Sequence, residues 1–117
     1  MNMVKVGKQS DICKYVGQNV CDTEIDMDLA MVFDFHPDKP LVTPAKSVLI
    51  GYPFGDLKEY PIHPAAITWG ELVISIKRVC IEQDAAGHNV APHDLGDYII
   101  ESICVYRDGV ATVSIGS

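Results

Sequence analysis

The chain has 117 residues, 48% hydrophobic and 21% charged, with 16 carboxylates against 9 Lys and Arg and a net charge of −7. That length suits one domain, residues 1–117, with a core needing no metal or disulfide staple, and the composition excludes wholesale disorder. The negative charge repels phosphate backbones and argues against nucleic-acid binding, and no run approaches the ~20 apolar residues of a membrane span.

The first residues, MNMVKVGKQSDICK, lack the continuous apolar segment of a secretory signal, so the cytoplasm is the expected location. Ser10 and Asp11 can cap a short helix reaching about Val20, with Ile12, Val16 and Val20 spaced by four and Gly17 weakening its middle. From Ile25 to Phe35 every odd position is apolar, while Asp26, Asp28 and Asp34 occupy even ones. That alternation predicts a strand with one buried face and one acidic face. His36 to Pro40 then reads as a turn, because its two prolines stop strand pairing.

Leu41 to Thr43 restarts extended structure before Pro44, and Ser47 to Tyr52 is an apolar run of strand length. Residues 53–64, PFGDLKEYPIHP, carry three prolines and a glycine and read as a long loop. Thr68 to Ala86 is the strongest helix signal. Thr68 and Glu71 have the form of a capping box, Ile67 and Leu72 that of a hydrophobic staple, and Gly87 supplies a left-handed stop. Trp69, Leu72, Val73, Ile76, Val79 and Cys80 fall on one stripe that should bury against a sheet. Residues 87–97 form a second loop.

Residues 98–106 and 110–115 make a β-hairpin around Arg107-Asp108-Gly109. A three-residue loop with Gly109 left-handed pairs Val105 with Ala111, Ile103 with Val113 and Cys104 with Thr112. The two-residue alternative would set apolar residues against polar ones. The elements together predict an α+β domain: a mainly antiparallel sheet of about four strands, one long helix (about 68–86) across one face, and a C-terminal hairpin. A mixed sheet results if the connection through the helix joins parallel strands.

Chemistry-bearing motifs are scarce. Cys13, Cys21, Cys80 and Cys104 form no CxxC, which removes the common zinc and thioredoxin-like signatures. Cys80 and Cys104 read as small core hydrophobes, and a reducing cytosol disfavours pairing of Cys13 with Cys21. His36, His63, His88 and His93 match no metal-ligand spacing, so neither metal nor cofactor is expected. No nucleophile elbow or phosphate-binding glycine loop occurs, which favours a non-enzymatic protein.

The acidic surplus is clustered, with six carboxylates from Asp22 to Asp38 and five from Glu82 to Glu101, and no Lys or Arg in either run. Ile74 and Ile81 lie one heptad apart on the helix back, with Arg78 and Ala85, and with Lys77 at the margin. A helix lying on a sheet should show water a polar back, so these isoleucines imply a second layer: the N-terminal segment or another subunit. The leading expectation is a small acidic protein acting by association, as a homodimer or with a basic partner. Its partner-facing residues would be Asp26, Asp28, Asp34, Ile74 and Ile81. The alternative is a ligand pocket between the helix and the two long loops, near Tyr60, His63, Trp69, His88 and His93.

Overall fold

The computed structural model describes residues 12–20 and 35–116. Five strands and one long helix occur there: β1 Ile12–Asn19, β2 Pro40–Ile50, β3 Lys58–Thr68, α1 Trp69–Ala85, β4 Ile99–Val105 and β5 Val110–Gly116. The strands form one sheet in the order β1-β4-β5-β2-β3. Every neighbouring pair is antiparallel except β2 with β5, which are parallel. The result is an α+β fold with a mostly antiparallel sheet, and α1 packs against it.

The helix forms where its sequence signals place it. Thr68, in an extended conformation, accepts a hydrogen bond from the Glu71 amide at 3.2 Å. The Glu71 carboxylate reaches one residue further back than a capping box requires and accepts the Ile67 amide at 3.0 Å. The next two amides, of Trp69 and Gly70, donate to the carbonyls of Lys39 and Pro37, so the turn before β2 also caps the helix. The helix ends in a Schellman motif. Gly87 has φ +82°, its amide bonds to the Asp84 carbonyl, and the His88 amide reaches Gln83. Trp69, Leu72, Val73, Ile76 and Cys80 are buried and Val79 packs against them, as the stripe requires.

Three local expectations are corrected. Residues 12–19 are a strand, not a helix. Apolar residues spaced by four satisfy a period of two as well as one helical face, and Gly17, at φ +64°, sits where the β1–β4 register shifts. Residues 53–64 are not one loop, since β3 begins at Lys58 and carries Pro61 and Pro64. It lies at the sheet edge, where one side of the strand needs no ladder partner and proline is tolerated. Pro44 does not interrupt β2, which absorbs it in a register shift between Pro40 and Ala45. Of the expected staple pair, Leu72 is buried and Ile67 is 56% exposed. Asp26, Asp28, Asp34 and nearly all of the alternating segment that holds them lie outside the described residues; its last member, Phe35, is buried in the core.

The hairpin has the three-residue loop. Val105 pairs with Ala111, Cys104 with Thr112 and Ile103 with Val113. Gly109 has φ +86°, its carbonyl accepts the Lys46 amide at 2.7 Å, and the parallel β2–β5 ladder follows from Ser47. Cys104 departs from expectation: it is disulfide-bonded rather than a free core thiol. The residue paired with it across the β1–β4 ladder is Cys13. Cys80 is a free, buried thiol. No helix among the described residues is long and apolar enough to cross a membrane.

Candidate functional site

An open groove of about 530 Å³ runs between edge strand β3 and the outer side of α1. Its deeper lining is apolar: Ile62 and Ala66 are buried, and Ile74 and Val79 half-buried. The exposed margin carries Pro61, His63 and Pro64 from the strand, and Glu71, Arg78 and Glu82 from the helix. The groove exists because β3 leads into α1 without a linker, which lays the helix along the last strand with no further strand beside it among the described residues. Ser75 turns its hydroxyl back to the Glu71 carbonyl at 2.9 Å, which leaves the apolar and charged residues as the groove's recognition chemistry.

Of the five residues proposed for a ligand pocket, only His63 lines this groove. Trp69 is 2% exposed and belongs to the core, where the sheet-facing stripe takes it. Tyr60 packs against that core with its hydroxyl buried and without a hydrogen-bond partner among the described residues. Burial pushes this hydroxyl above its usual pKa, and the nearby Cys80 thiol adds to the shift. The Cys80 thiol is itself pushed up to about 12 by burial. These two groups are acids held neutral under the helix, with no reactive thiolate between them.

His88 and His93 stand at the other end of the helix, exposed on the loop that follows it. The loop is built around Asn89. Its side-chain amide donates to Asp84 at 3.1 Å and to the His93 carbonyl at 3.0 Å, and its oxygen accepts from the Ala91 amide and the Tyr98 hydroxyl. Tyr98 is buried, with its ring edge-on to Phe54 and His93. Burial raises the Tyr98 pKa, the Asn89 hydrogen bond opposes the shift, and Tyr52, Asp84 and Asp97 add to it. The Val90 amide donates to the Pro53 carbonyl at 2.9 Å, which ties this loop to the turn between β2 and β3.

The structure therefore separates what the sequence grouped. Ile74 and Arg78 share the groove with His63, Ile81 is half-buried outside its lining, and the other two loop histidines belong to a different surface. Lys77, expected at the margin of the helix back, is 0% exposed and is not without a partner. The sequence offered no sign of the groove's strand wall, because proline-rich composition read as loop. Among the described residues no group of three or more His, Cys, Asp or Glu could hold a metal ion. Comparison with known proteins adds no assignment: no protein-family model, curated protein or solved structure matches the chain.

Proposed function

We propose that this protein acts by association, as a two-fold dimer joined through the outer face of α1 and the groove beside it. The observation that carries this reading is the stripe Glu71, Ile74, Arg78, which shows water both charges and a half-buried isoleucine beside an open apolar groove. A two-fold interface must be complementary to itself. Two copies of α1 crossing antiparallel between Ile74 and Ser75 would place each Glu71 opposite the other copy's Arg78. The two reciprocal ion pairs would flank a centre where each Ile74 enters the other copy's groove. The same placement brings Ile81 beside the exposed Ile67 of the second copy. Prolines on β3 suit this mode, because they obstruct the competing edge-to-edge strand pairing.

Light scattering across a dilution series tests the proposal. The wild-type chain is expected at dimer mass, Arg78→Glu at monomer mass, and the charge-exchanged double variant Glu71→Arg/Arg78→Glu back at dimer mass. A wild-type monomer at every concentration, or a double variant no better than the single one, would sink it. Circular dichroism checks that the double variant, which loses the Glu71 contact to the Ile67 amide, still folds.

A basic protein partner is the other arm of the association reading. Asp26, Asp28 and Asp34 remain candidates for it on sequence grounds alone. A small-molecule reading has one specific observation behind it: the groove volume falls within the roughly 300–1,000 Å³ typical of ligand sites. Native mass spectrometry of the purified chain separates the two, since a retained ligand adds mass that Ile74→Glu would abolish. The disulfide at Cys104 supports a location outside a reducing cytosol, against the cytoplasmic placement expected from the sequence.

A further inference from the structure

At the end of the sheet away from the hairpin loop, the turn 51–57 and the loop 87–97 meet and present three large apolar side chains to solvent. Tyr52 is 67% exposed, Val90 65% and Leu57 48%. The surface does not share a residue with the β3–α1 groove. Its backbone is held rather than loose. The Val90 amide bonds to the Pro53 carbonyl, Asn89 anchors the loop to Asp84 and Tyr98, and Phe54 and Tyr98 pack edge-on beneath. Exposed apolar residues on a braced frame lose little conformational freedom when covered, which is a property of preorganised binding surfaces.

The charge around these residues has one sign over a long stretch. Asp84 and Asp97 lie close enough to act on the buried Tyr98 hydroxyl, as does Tyr52 itself. Asp94 and Asp97 cap the short turn Leu95–Asp97, with their side chains at the loop surface, and Asp56 is exposed on the facing turn. No Lys or Arg occurs between Glu82 and Glu101; the one basic neighbour in sequence is Lys58, which opens β3. A bare acidic surface would be explained by solubility alone. An apolar centre with an acidic surround follows instead the anatomy of a protein-binding patch, with an aromatic anchor inside and charge at the rim.

We infer that the surface formed by Tyr52, Leu57 and Val90 docks a basic protein segment. The occupant is an apolar or aromatic residue flanked by Lys or Arg, seated on Tyr52 and Val90 with its cations toward Asp56, Asp94 and Asp97. A second copy of this chain is a poor occupant, because it would bring the same carboxylates against themselves. The inference stands independently of the proposed dimer, whose residues lie on the outer face of α1.

Selection from a phage library of random twelve-residue peptides against the immobilised 117-residue chain, in low salt, tests it. Enriched peptides are expected to combine Lys or Arg with an aromatic or large aliphatic residue. Their affinity should fall at least tenfold with Val90→Glu or Tyr52→Ala, and also as salt is raised from 50 to 500 mM. It should be unchanged by Ile74→Glu. Both tip positions are exposed, and thermal melts are expected to show both variants folded. Peptides without basic residues, peptides that bind the tip variants as well as wild type, peptides whose affinity tracks Ile74, or no enrichment at all would each overturn the assignment. Because Arg78→Glu leaves the tip intact, a monomeric Arg78→Glu variant that still binds the peptides separates the two proposals.

Discussion

At the scale of single residues, Gly109 carries two constraints that a side chain cannot meet together. Its φ of +86° is the left-handed conformation of the three-residue hairpin loop, and a Cβ there would lie 3.0 Å from the Pro44 carbonyl oxygen and 3.2 Å from Lys46 Cγ. Gly109→Ala is expected to cost roughly 1–3 kcal/mol in urea unfolding. Gly109→Asn should recover only part of this, since asparagine eases the φ penalty but brings the same Cβ. A fully stable Asn variant would mean that β2 yields to the added atom. The loop conformation was legible in Arg107-Asp108-Gly109, whereas contact with Pro44 was not, because nothing local announces that β2 and β5 run parallel. Cys80 gives a prediction in pH. Its folded pKa of about 12 lies above the unfolded value of 9.0, so the folded state holds the proton longer. The resulting stability is complete below pH 9 and declines as pH rises toward 12, by up to about 1.4 kcal/mol per unit. Tyr60 and Tyr98, raised from 10.0, add to the decline only at higher pH. Urea midpoints between pH 8 and 10 should therefore fall for the wild type and flatten for Cys80→Ala.

At the scale of elements, α1 was readable because its signals are local. Capping residues, a stripe at helical spacing and a left-handed stop act within a few residues of one another, and each is seen in the structure. The residues around the helix ends make a graded test. Thr68→Ala should cost about 1 kcal/mol through the lost cap, and Gly87→Ala about 1 kcal/mol through strain at φ +82°. Ile67→Ser, measured in the monomeric Arg78→Glu background, should cost under about 0.5 kcal/mol, because Ile67 is 56% exposed. A cost at Ile67 equal to that at Thr68 would mean that Ile67 packs on Leu72 as a staple despite its exposure. The strands β1 and β3 were not readable for a different reason. Spacing by four in β1 fits both periods, and proline marks a loop only where both sides of a strand must pair. At the edge of a sheet that condition lapses, so β3 became identifiable only once the strand order was known. The candidate groove inherits this blindness: its helix side, Ile74 and Arg78, was legible as an anomaly, while its strand wall was not.

At the scale of the whole molecule, the order β1-β4-β5-β2-β3 places β1 at the far edge among the described residues, hydrogen-bonded there along one side to β4. A terminal strand held by one ladder is the element whose loss the rest of the sheet tolerates best. Burial opposes that loss, since Val16 and Val20 sit in the core, but the β1–β4 ladder has a register shift between Tyr15 and Gln18, and the Gln18 side-chain amide is buried without a partner among the described residues. The disulfide at Cys104 bears on this weak joint. Peptide mapping of the non-reduced protein is expected to recover Cys13 joined to Cys104, the pair opposite each other in the ladder. A link between them encloses β2, β3 and α1 in one long loop, which sets its contribution toward the upper part of roughly 2–5 kcal/mol. Mild reductant should then lower the urea midpoint of the wild type, and Cys104→Ser should show the same lower midpoint with or without reductant. Hydrogen exchange should locate the loss, with β1 amides exchanging faster on reduction while β2, β3 and α1 keep most of their protection. Uniform loss across the sheet would mean that β1 belongs to the cooperative core, and an unchanged midpoint would mean that the hydrogen bonds and buried valines hold the strand without the link.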